Sequence, residues 1–447
     1  MGTVDDLDIT IPDPAIEQAK HLNDAAMAII KEGRCGTAAA LSMLRRALAL
    51  HPASPDIWSN LGLVYWQDNQ IAQANDAFRH AVRLKPDSAI AQGNLGVFLS
   101  ATGDPAESDV HLLEAIRLDP NNLGPQWDRA LLALRQGDWA TGLPGYDIRR
   151  EHRGVSLYPA MPAPFWRGED LSGKAIYIQA EQGVGDRLLF SRYLSWMKEK
   201  WPTCRILVCL FDGLTNLFWE FRHIVEFLPA GVPWPEDLDY ATFLCSLPEV
   251  HGTTPTNIPP DPGLLRQRVL RARDKQTRCN IPIPNLPALK VGICWTGNAT
   301  QTRNKERSIP LEQILPLAED PRIVLYSFQC SPGLSDIERL GAGDLLCDLG
   351  TEIEREGWVA TGLAMMEMDI MITVCTSIAH YAGVLQIPTW TLLCADPYWI
   401  WQRTEDTTPW YPNSMRLLRQ RTPGDWQPVI DQVKAELSKL ANAKLHT

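Results

Sequence analysis

The chain has 447 residues and a formal net charge of −11, with 45% apolar and 8% aromatic residues. At roughly 150 residues per domain, this length predicts about three domains. The acidic balance, without any basic arm or block, excludes a general attraction of the whole molecule to nucleic acid or to an anionic membrane.

The first residues, M-G-T-V-D-D-L-D, are acidic and lack the charged-then-apolar order of a signal peptide. No apolar run approaches the ~18 residues that a bilayer span needs. The ten cysteines include no C-x-x-C pair, so they predict neither a zinc site nor a disulfide framework. We therefore expect a cytoplasmic protein without a membrane span.

Three prolines near the start of the chain, Pro52, Pro86 and Pro120, are 34 residues apart. This is the period of the tetratricopeptide repeat, a helix pair that stacks on its neighbours. Weaker units at 21–52 and 89–120 flank the central one, and an atypical unit at 123–150 is expected to cap an array covering 1–155. The central unit has the motif residue at every position: Trp58, Leu61, Gly62, Tyr65, Ala74, Phe78, Ala81 and Pro86.

Asn60 and Asn94 occupy the same position in successive repeats. A ladder of side-chain amides on the concave face can hydrogen-bond the backbone of an extended peptide without reading its side chains. Alternatively, both asparagines satisfy neighbouring loops. The first alternative makes the array the binding site for a protein acceptor or partner.

After a proline-rich link at 158–165, β-rich runs at 175–179, 206–210 and 224–228 alternate with helical segments. A second proline-rich stretch, 281–287, precedes further strand-like runs at 290–295, 323–328, 369–374 and 389–393. Such alternation predicts parallel sheets with helices on both faces. The predicted fold is thus an all-α tetratricopeptide array followed by two Rossmann-like lobes, 156–285 and 286–447.

The segment E-Q-G-V-G-D follows the first strand of the first lobe, where open α/β sheets place their sites. Gly183 and Gly185 permit a tight turn and a close approach of a ligand, here the acceptor, and Asp186 begins the next helix.

This region resembles the tetratricopeptide-containing glycosyltransferases related to the heptosyltransferases (glycosyltransferase family 9). They read W-x-G-x-x-L-x-G-K and then E-Q-G-x-G-D-x-x-x-F-x-R-Y. The resemblance implies a GT-B fold and makes Asp186 the general base. The alternative for Asp186 is a helix cap, and Glu181 is the second candidate base. The matching residues are Trp166, Gly168, Leu171, Gly173, Lys174, Glu181, Gln182, Gly183, Gly185, Asp186, Phe190, Arg192 and Tyr193.

The second lobe opens with V-G-I-C-W-T-G-N and a basic loop that ends in R-S-I-P, again like that family. The motif contains Gly297 and Asn298. The resemblance implies that Arg307 contacts the donor phosphates, and Arg303 and Lys305 are further candidates in the same loop. For each of the three cations, the alternative is a solvated surface charge.

A later apolar run ends at Cys375, Thr376 and Ser377, and a helix with His380 on its first turn follows. The unpaired N–H groups and partial positive charge of a helix start suit a diphosphate, to which His380 can add a donor. The family commonly reads D-T-x-x-x-H here. Cys375 stands at the usual aspartate position, so sugar recognition differs or activity is reduced.

Two further features of the second lobe resemble the family. Aromatic segments at 396–401 and 409–412 match its D-W-R-W and P-W-Y-P patterns, and either line the donor site or belong to the core. The last helix, 426–440, is expected to cross back to the first lobe, as in GT-B enzymes. Asp237-Leu-Asp239 spells D-x-D, but the resemblance implies no metal.

These features predict an inverting glycosyltransferase that moves a sugar from a nucleotide-sugar donor to an acceptor hydroxyl, with a protein as the expected acceptor. No cofactor is expected besides the donor. Two alternatives stay open: a tetratricopeptide scaffold with weakened catalysis, and an enzyme with a saccharide or lipid-linked acceptor.

Overall fold

A computed structural model of the chain describes residues 13–31, 36–152, 161–210, 213–274, 281, 283, 286–301, 303–331 and 333–445. The predicted links at 158–165 and 281–287 lie partly outside the described residues. The chain forms two compact units, which meet between Leu132 and Ala133.

The first unit is a helical array, as the repeat period predicts. Small residues let paired helices touch: a Cβ at Gly62 would lie 2.8 Å from the Phe78 ring, and one at Gly96 would lie 2.8 Å from Leu112. The predicted all-α array is thus confirmed. Its described helices are α1 (Pro14–Lys31), α2 (Thr37–Leu50), α3 (Pro55–Gln67), α4 (Ile71–Leu84), α5 (Ala89–Thr102), α6 (Pro105–Leu118) and α7 (Leu123–Arg135), which continues past the unit boundary.

Two helices that the sequence assigned to a capping repeat, α8 (Trp139–Tyr146) and α9 (Arg149–His152), belong to the second unit. The Trp139 ring stacks on Trp410 with centroids 5.2 Å apart, and Tyr146 meets Trp399 edge-on at 5.6 Å. Because the aromatic face of α8 is buried against the α/β unit, it cannot cap a repeat with that face.

The first sheet of the second unit is parallel, with strand order β3-β2-β1-β4. The sequence missed β4, a short strand that follows an acidic, proline-containing loop. The elements of this lobe are β1 (Ala175–Gln179), α10 (Val184–Phe190), α11 (Arg192–Lys200), β2 (Arg205–Cys209), β3 (Glu226–Phe227), β4 (Tyr240–Phe243), α12 (Leu247–His251) and α13 (Leu264–Asp274), with 3₁₀ turns at Leu217–His223 and Leu244–Ser246.

The second sheet is also parallel, with strand order β10-β9-β8-β5-β6-β7. The sequence missed β7, which has only two residues, and β10, in which Arg416 and Arg419 interrupt the apolar run. The strands are β5 (Leu289–Cys294), β6 (Ile323–Ser327), β7 (Cys347–Asp348), β8 (Ile370–Val374), β9 (Thr389–Leu393) and β10 (Met415–Arg419). The helices are α14 (Asn304–Arg307), α15 (Leu311–Ile314), α16 (Ser335–Leu340), α17 (Gly350–Glu356), α18 (Trp358–Met365), α19 (Ser377–Leu385) and α20 (Gln427–Leu445). Two parallel α/β sheets after a helical array confirm the predicted fold class.

The last helix differs from expectation, because α20 packs on the second sheet instead of crossing back to the first lobe. Its buried residues Val429, Val433 and Leu437 join the hydrophobic core formed with β5, β6, β8 and β9. Polar contacts point the same way: Lys444 pairs with Asp369. The apolar stripe of α20 is thus used within the second lobe.

In each sheet, the chain reverses its direction of strand addition beside the first strand of the lobe. The switch lies between β1 and β4 in the first sheet and between β5 and β8 in the second. Ligands of open α/β sheets bind outside the carboxyl ends of strands at such points. Among the helices in the described part of the chain, none is long and apolar enough to cross a bilayer.

Candidate active site

The two switch points are brought together by helices α10 and α19, which begin at the carboxyl ends of β1 and β8. At their contact a Cβ on Gly185 would lie 2.5 Å from the His380 ring. Only glycine fits there without a shift of one helix. Gly185 therefore serves the packing of the two lobes, a use different from the ligand approach that the sequence predicted.

Asp186 is the third residue of α10, and its carboxylate is held at both oxygens. Oδ2 accepts a hydrogen bond from the N–H of Gly183 at 3.1 Å, and Oδ1 accepts one from the Tyr398 hydroxyl at 3.2 Å. The side chain stays partly exposed. Burial raises the pKa of Asp186 to about 6, against the opposing effect of these two hydrogen bonds. Asp186 is thus a reachable carboxylate whose pKa suits proton transfer near neutral pH.

The turn before Asp186 is built around Gln182, which has a positive φ of 67°. The sequence predicted that the glycines would supply the special backbone conformation, but Gly183 is the extended N-cap residue of α10. Arg187 donates to the Gln182 carbonyl at 2.9 Å and closes the turn. Non-glycine residues in this conformation are uncommon and concentrate at functional sites.

Glu181, the second candidate base, lies deeper than Asp186 and is only 5% exposed. Its Oε1 pairs at 2.7 Å with the guanidinium of Arg149, which is fully buried and also pairs with Asp147 at 2.6 Å. The other oxygen, Oε2, accepts the N–H of Cys245 at 3.4 Å. A buried carboxylate already neutralised by an arginine is unsuited to take a proton from a substrate. The geometry therefore favours Asp186 over Glu181.

Arg307, on α14, reaches the carboxyl end of β8. Its Nη1 donates to the Cys375 carbonyl at 2.8 Å, and its Nε donates to Asn304 at 3.1 Å. A Cβ on Gly297 would lie 2.3 Å from the guanidinium, so this glycine makes room for the arginine. The motif glycine and the basic residue thus form one unit beside the start of α19.

The other predicted donor residues of this loop are placed differently. Arg303 pairs with Glu306 and, at 2.9 Å, with the buried Asp396. Lys305 is exposed. Asn298 is exposed as well, and its Oδ1 accepts both the N–H and the hydroxyl of Thr300 at 3.0 Å. In this geometry, Arg303 and Asn298 shape the loop around Arg307.

Cys375 and Thr376 lead from β8 into α19. The Cys375 sulfur accepts the indole N–H of Trp401 at 3.0 Å, and burial raises the pKa of its thiol, so it stays protonated at neutral pH. The charges of Asp186 and Arg307 both act on this thiol, which puts it between the two groups. Thr376 does not cap α19 through its side chain, and Ser377 is partly exposed at the first turn.

His380 lies one turn into α19 and is only 4% exposed. Its ring stacks on Trp401 with centroids 5.0 Å apart, and its Nδ1 hydrogen-bonds the Tyr411 hydroxyl at 3.1 Å. Burial, with the charge of Arg192 as a smaller cause, lowers the pKa of His380 to about 3. The ring is therefore neutral and can offer an anion only a neutral hydrogen bond. Packing of Trp401 and Tyr411 around His380 gives these family aromatics a role in the core.

In the first unit, Asn60 and Asn94 are both partly buried on α3 and α5. The side-chain amide of Asn60 donates to Asn23 on α1 at 2.8 Å. Sequence reasoning missed Asn23, because it precedes Asn60 by 37 residues and so falls outside the repeat period.

Three other groups at the site were not predicted, namely Tyr398, Tyr146 and Arg149. Tyr146 and Tyr398 share a hydrogen bond of 2.8 Å between their hydroxyls. A tyrosine at the family's aromatic segment was visible in the sequence, but its contact with Asp186 spans 212 residues. The D-x-D aspartates, Asp237 and Asp239, pair with Arg205 and Lys174.

A tetratricopeptide repeat model matches residues 32–89 and 62–122. Residues 32–122 are tetratricopeptide repeats. Protein FlbA of Caulobacter vibrioides is 24% identical over 352 residues, which cover 71% of this chain and 55% of that protein. The chain thus spans about half the length of this curated relative.

Two solved structures of glycosyltransferases are also similar to the chain. A mutant of Thermobaculum terrenum O-GlcNAc transferase aligns over 97% of this chain and 95% of its own, with 14% identity and a TM-score of 0.35. A glycosyl transferase of family 9 from Veillonella parvula aligns over 63% of this chain and 99% of its own, with 10% identity and a TM-score of 0.41.

Proposed function

We propose that the second unit is an inverting glycosyltransferase that uses a nucleotide-sugar donor. The observation that carries this proposal is the placement of Asp186, a reachable carboxylate with a pKa of about 6, across Cys375 from Arg307. A proton acceptor on one lobe and a cation beside a helix start on the other are the two groups that sugar transfer from a nucleotide requires.

In the proposed step, the acceptor oxygen attacks the anomeric carbon while its proton passes to Asp186. The bond between that carbon and the phosphate oxygen breaks, and the leaving phosphate gathers negative charge. Arg307 and the N–H groups at the start of α19 stabilise this charge. Positive charge from the chain itself takes the place of a metal ion. Because Glu181 is held by Arg149, a single displacement with inversion is favoured over a second, nucleophilic carboxylate.

We propose a protein acceptor, recognised by the repeats. Tetratricopeptide repeats bind extended partners along their stacked helices. In this array, Asn60 and Asn94 occupy equivalent, partly buried positions on α3 and α5, where side-chain amides can bond to a peptide backbone.

The test is a panel of nucleotide sugars incubated with the full chain, with release of the nucleotide as the readout. A parallel thermal-shift screen uses nucleoside diphosphates and CMP. We expect one nucleotide to raise the melting temperature and the matching donor to be hydrolysed slowly without acceptor. If no nucleotide binds and no donor is cleaved, the protein is not a transferase, and a binding scaffold becomes the better account.

A further inference from the structure

The hydroxyl of Tyr398 is the second-lobe group that reaches the carboxylate of Asp186. It donates to Asp186 Oδ1 at 3.2 Å from the segment that follows β9. On its other side, the same hydroxyl bonds with that of Tyr146 at 2.8 Å. The Arg149 guanidinium lies 4.7 Å from the Tyr146 ring centroid. A chain of two hydroxyls therefore ends on the proposed base.

We propose that Tyr398 is a positioning residue that orients the carboxylate of Asp186 toward the acceptor and favours its ionised form. This inference rests on the proposed function. With Gly183 bonded to Oδ2 and Tyr398 to Oδ1, the carboxylate cannot rotate without losing a hydrogen bond. Each oxygen keeps a second lone pair for the acceptor hydroxyl.

The hydrogen-bond chain has a natural direction. Asp186 accepts from Tyr398, so the Tyr398 oxygen is free to accept from Tyr146, and successive donors strengthen each other. Tyr398 does not act as a proton relay, because burial and nearby negative charge hold its pKa well above the usual value. The proton taken from the acceptor stays on Asp186 until it leaves to solvent.

The segment that carries Tyr398 also carries contacts to the donor side. Asp396 pairs with Arg303, and Trp401 donates to the Cys375 sulfur. The orientation of the base is thus tied to the same six residues that shape the donor loop. The other titratable groups that act on Asp186 are Glu181, Arg187, Tyr146, Cys245, Cys375 and Tyr411.

The test is the variant Tyr398→Phe, which keeps the ring and removes the hydroxyl. Losing a hydrogen bond to a charged group should raise the Asp186 pKa by about one unit. At pH 6, kcat should then fall about fivefold, whereas above pH 8 it should return to within about twofold of wild type. Donor KM should change less than twofold. An equal loss of kcat at every pH would mean a merely structural role and would overturn the proposal.

A second readout does not depend on activity. The side-chain carboxyl carbon of Asp186, labelled with carbon-13 and assigned with Asp186→Asn, is titrated by NMR in the full chain. Tyr398→Phe should move this titration upward, and Tyr146→Phe, which leaves the Tyr398 hydroxyl in place, should move it less. Unchanged titration in both variants would refute the contact. If wild-type protein transfers no sugar but the titration moves, the proposed function fails and the positioning contact stands.

Discussion

The two sheet edges that form the site differ in the charge they present. The edge of the first sheet presents two carboxylates, of which Glu181 is neutralised and Asp186 is partly exposed. The edge of the second sheet presents Arg307 and the uncapped start of α19. The difference indicates a division of work, in which one lobe takes up a proton and the other stabilises a leaving anion.

The two carboxylates of the first edge show how burial decides a role. Glu181 and Asp186 are five residues apart in the sequence, yet one faces the fully buried Arg149 and the other faces the cleft-side hydroxyl of Tyr398. A paired, inaccessible carboxylate supports the fold, whereas an accessible one with a raised pKa is available for chemistry.

The largest effect is expected for Asp186→Asn, which keeps the side-chain size and removes the proton acceptor. A general base typically contributes about 10²–10⁴-fold in rate, so kcat should fall at least a hundredfold. The melting temperature should not fall, because the raised pKa means that the ionised carboxyl costs stability above pH 6. Steady-state kinetics and calorimetry check this. Near-normal turnover would remove Asp186 from the role of base.

Glu181→Gln should show the opposite division between activity and stability. Removing one partner of a buried ion pair leaves Arg149 less compensated, and Asp147 remains as a partner, so we expect a loss of about 3 kcal/mol in unfolding free energy. At a temperature well below the transition, kcat should stay within a few-fold of wild type. Urea denaturation measures the first quantity; a hundredfold loss of kcat in a stable variant would instead make Glu181 catalytic.

The pH dependence of the wild-type rate sharpens the same contrast. Asp186 must be ionised to act as a base, and its pKa is about 6. The rate should therefore be constant above about pH 7 and fall about tenfold between pH 8 and pH 5 as the carboxyl becomes protonated. An acid limb near pH 4 would indicate an unperturbed carboxylate or a different base.

Arg307→Ala tests the second edge. Loss of one charge-assisted hydrogen bond typically costs about 1.5–3 kcal/mol, so nucleotide affinity should weaken about tenfold or more. The exposed Lys305 is the matched control, and Lys305→Ala should change affinity less than twofold. Titration calorimetry gives both values, and equal affinities for wild type and Arg307→Ala would contradict the donor assignment. His380→Ala is not a matched test, since removal of its buried ring should lower stability.

The smallest effect on the site is expected from the repeats. Replacing both Asn60 and Asn94 with alanine should reduce modification of a protein acceptor several-fold, since two amide contacts at about 0.5–1.5 kcal/mol each are lost. Nucleotide affinity should be unchanged. A parallel loss of acceptor modification and nucleotide binding would argue against a separate recognition role for these asparagines.

The sequence by itself determined the helical array, most strands and the segments that form the site. Period, alternation and motif spacing are local properties, so Gly62 packing on Phe78 and the strand at 175–179 follow from residues close in the chain. It misjudged α8 and α20, because an apolar helix face does not specify which surface will cover it.

Only the tertiary structure decided which residues meet. The contacts of Asp186 with Tyr398 and of Glu181 with Arg149 join distant segments, and burial, which separates the two carboxylates, is a property of the folded chain. The same holds for His380, a titratable residue in sequence that becomes a neutral core ring once Gly185 packs against it. Local patterns fix elements, whereas desolvation and long-range pairing fix the roles of charged groups.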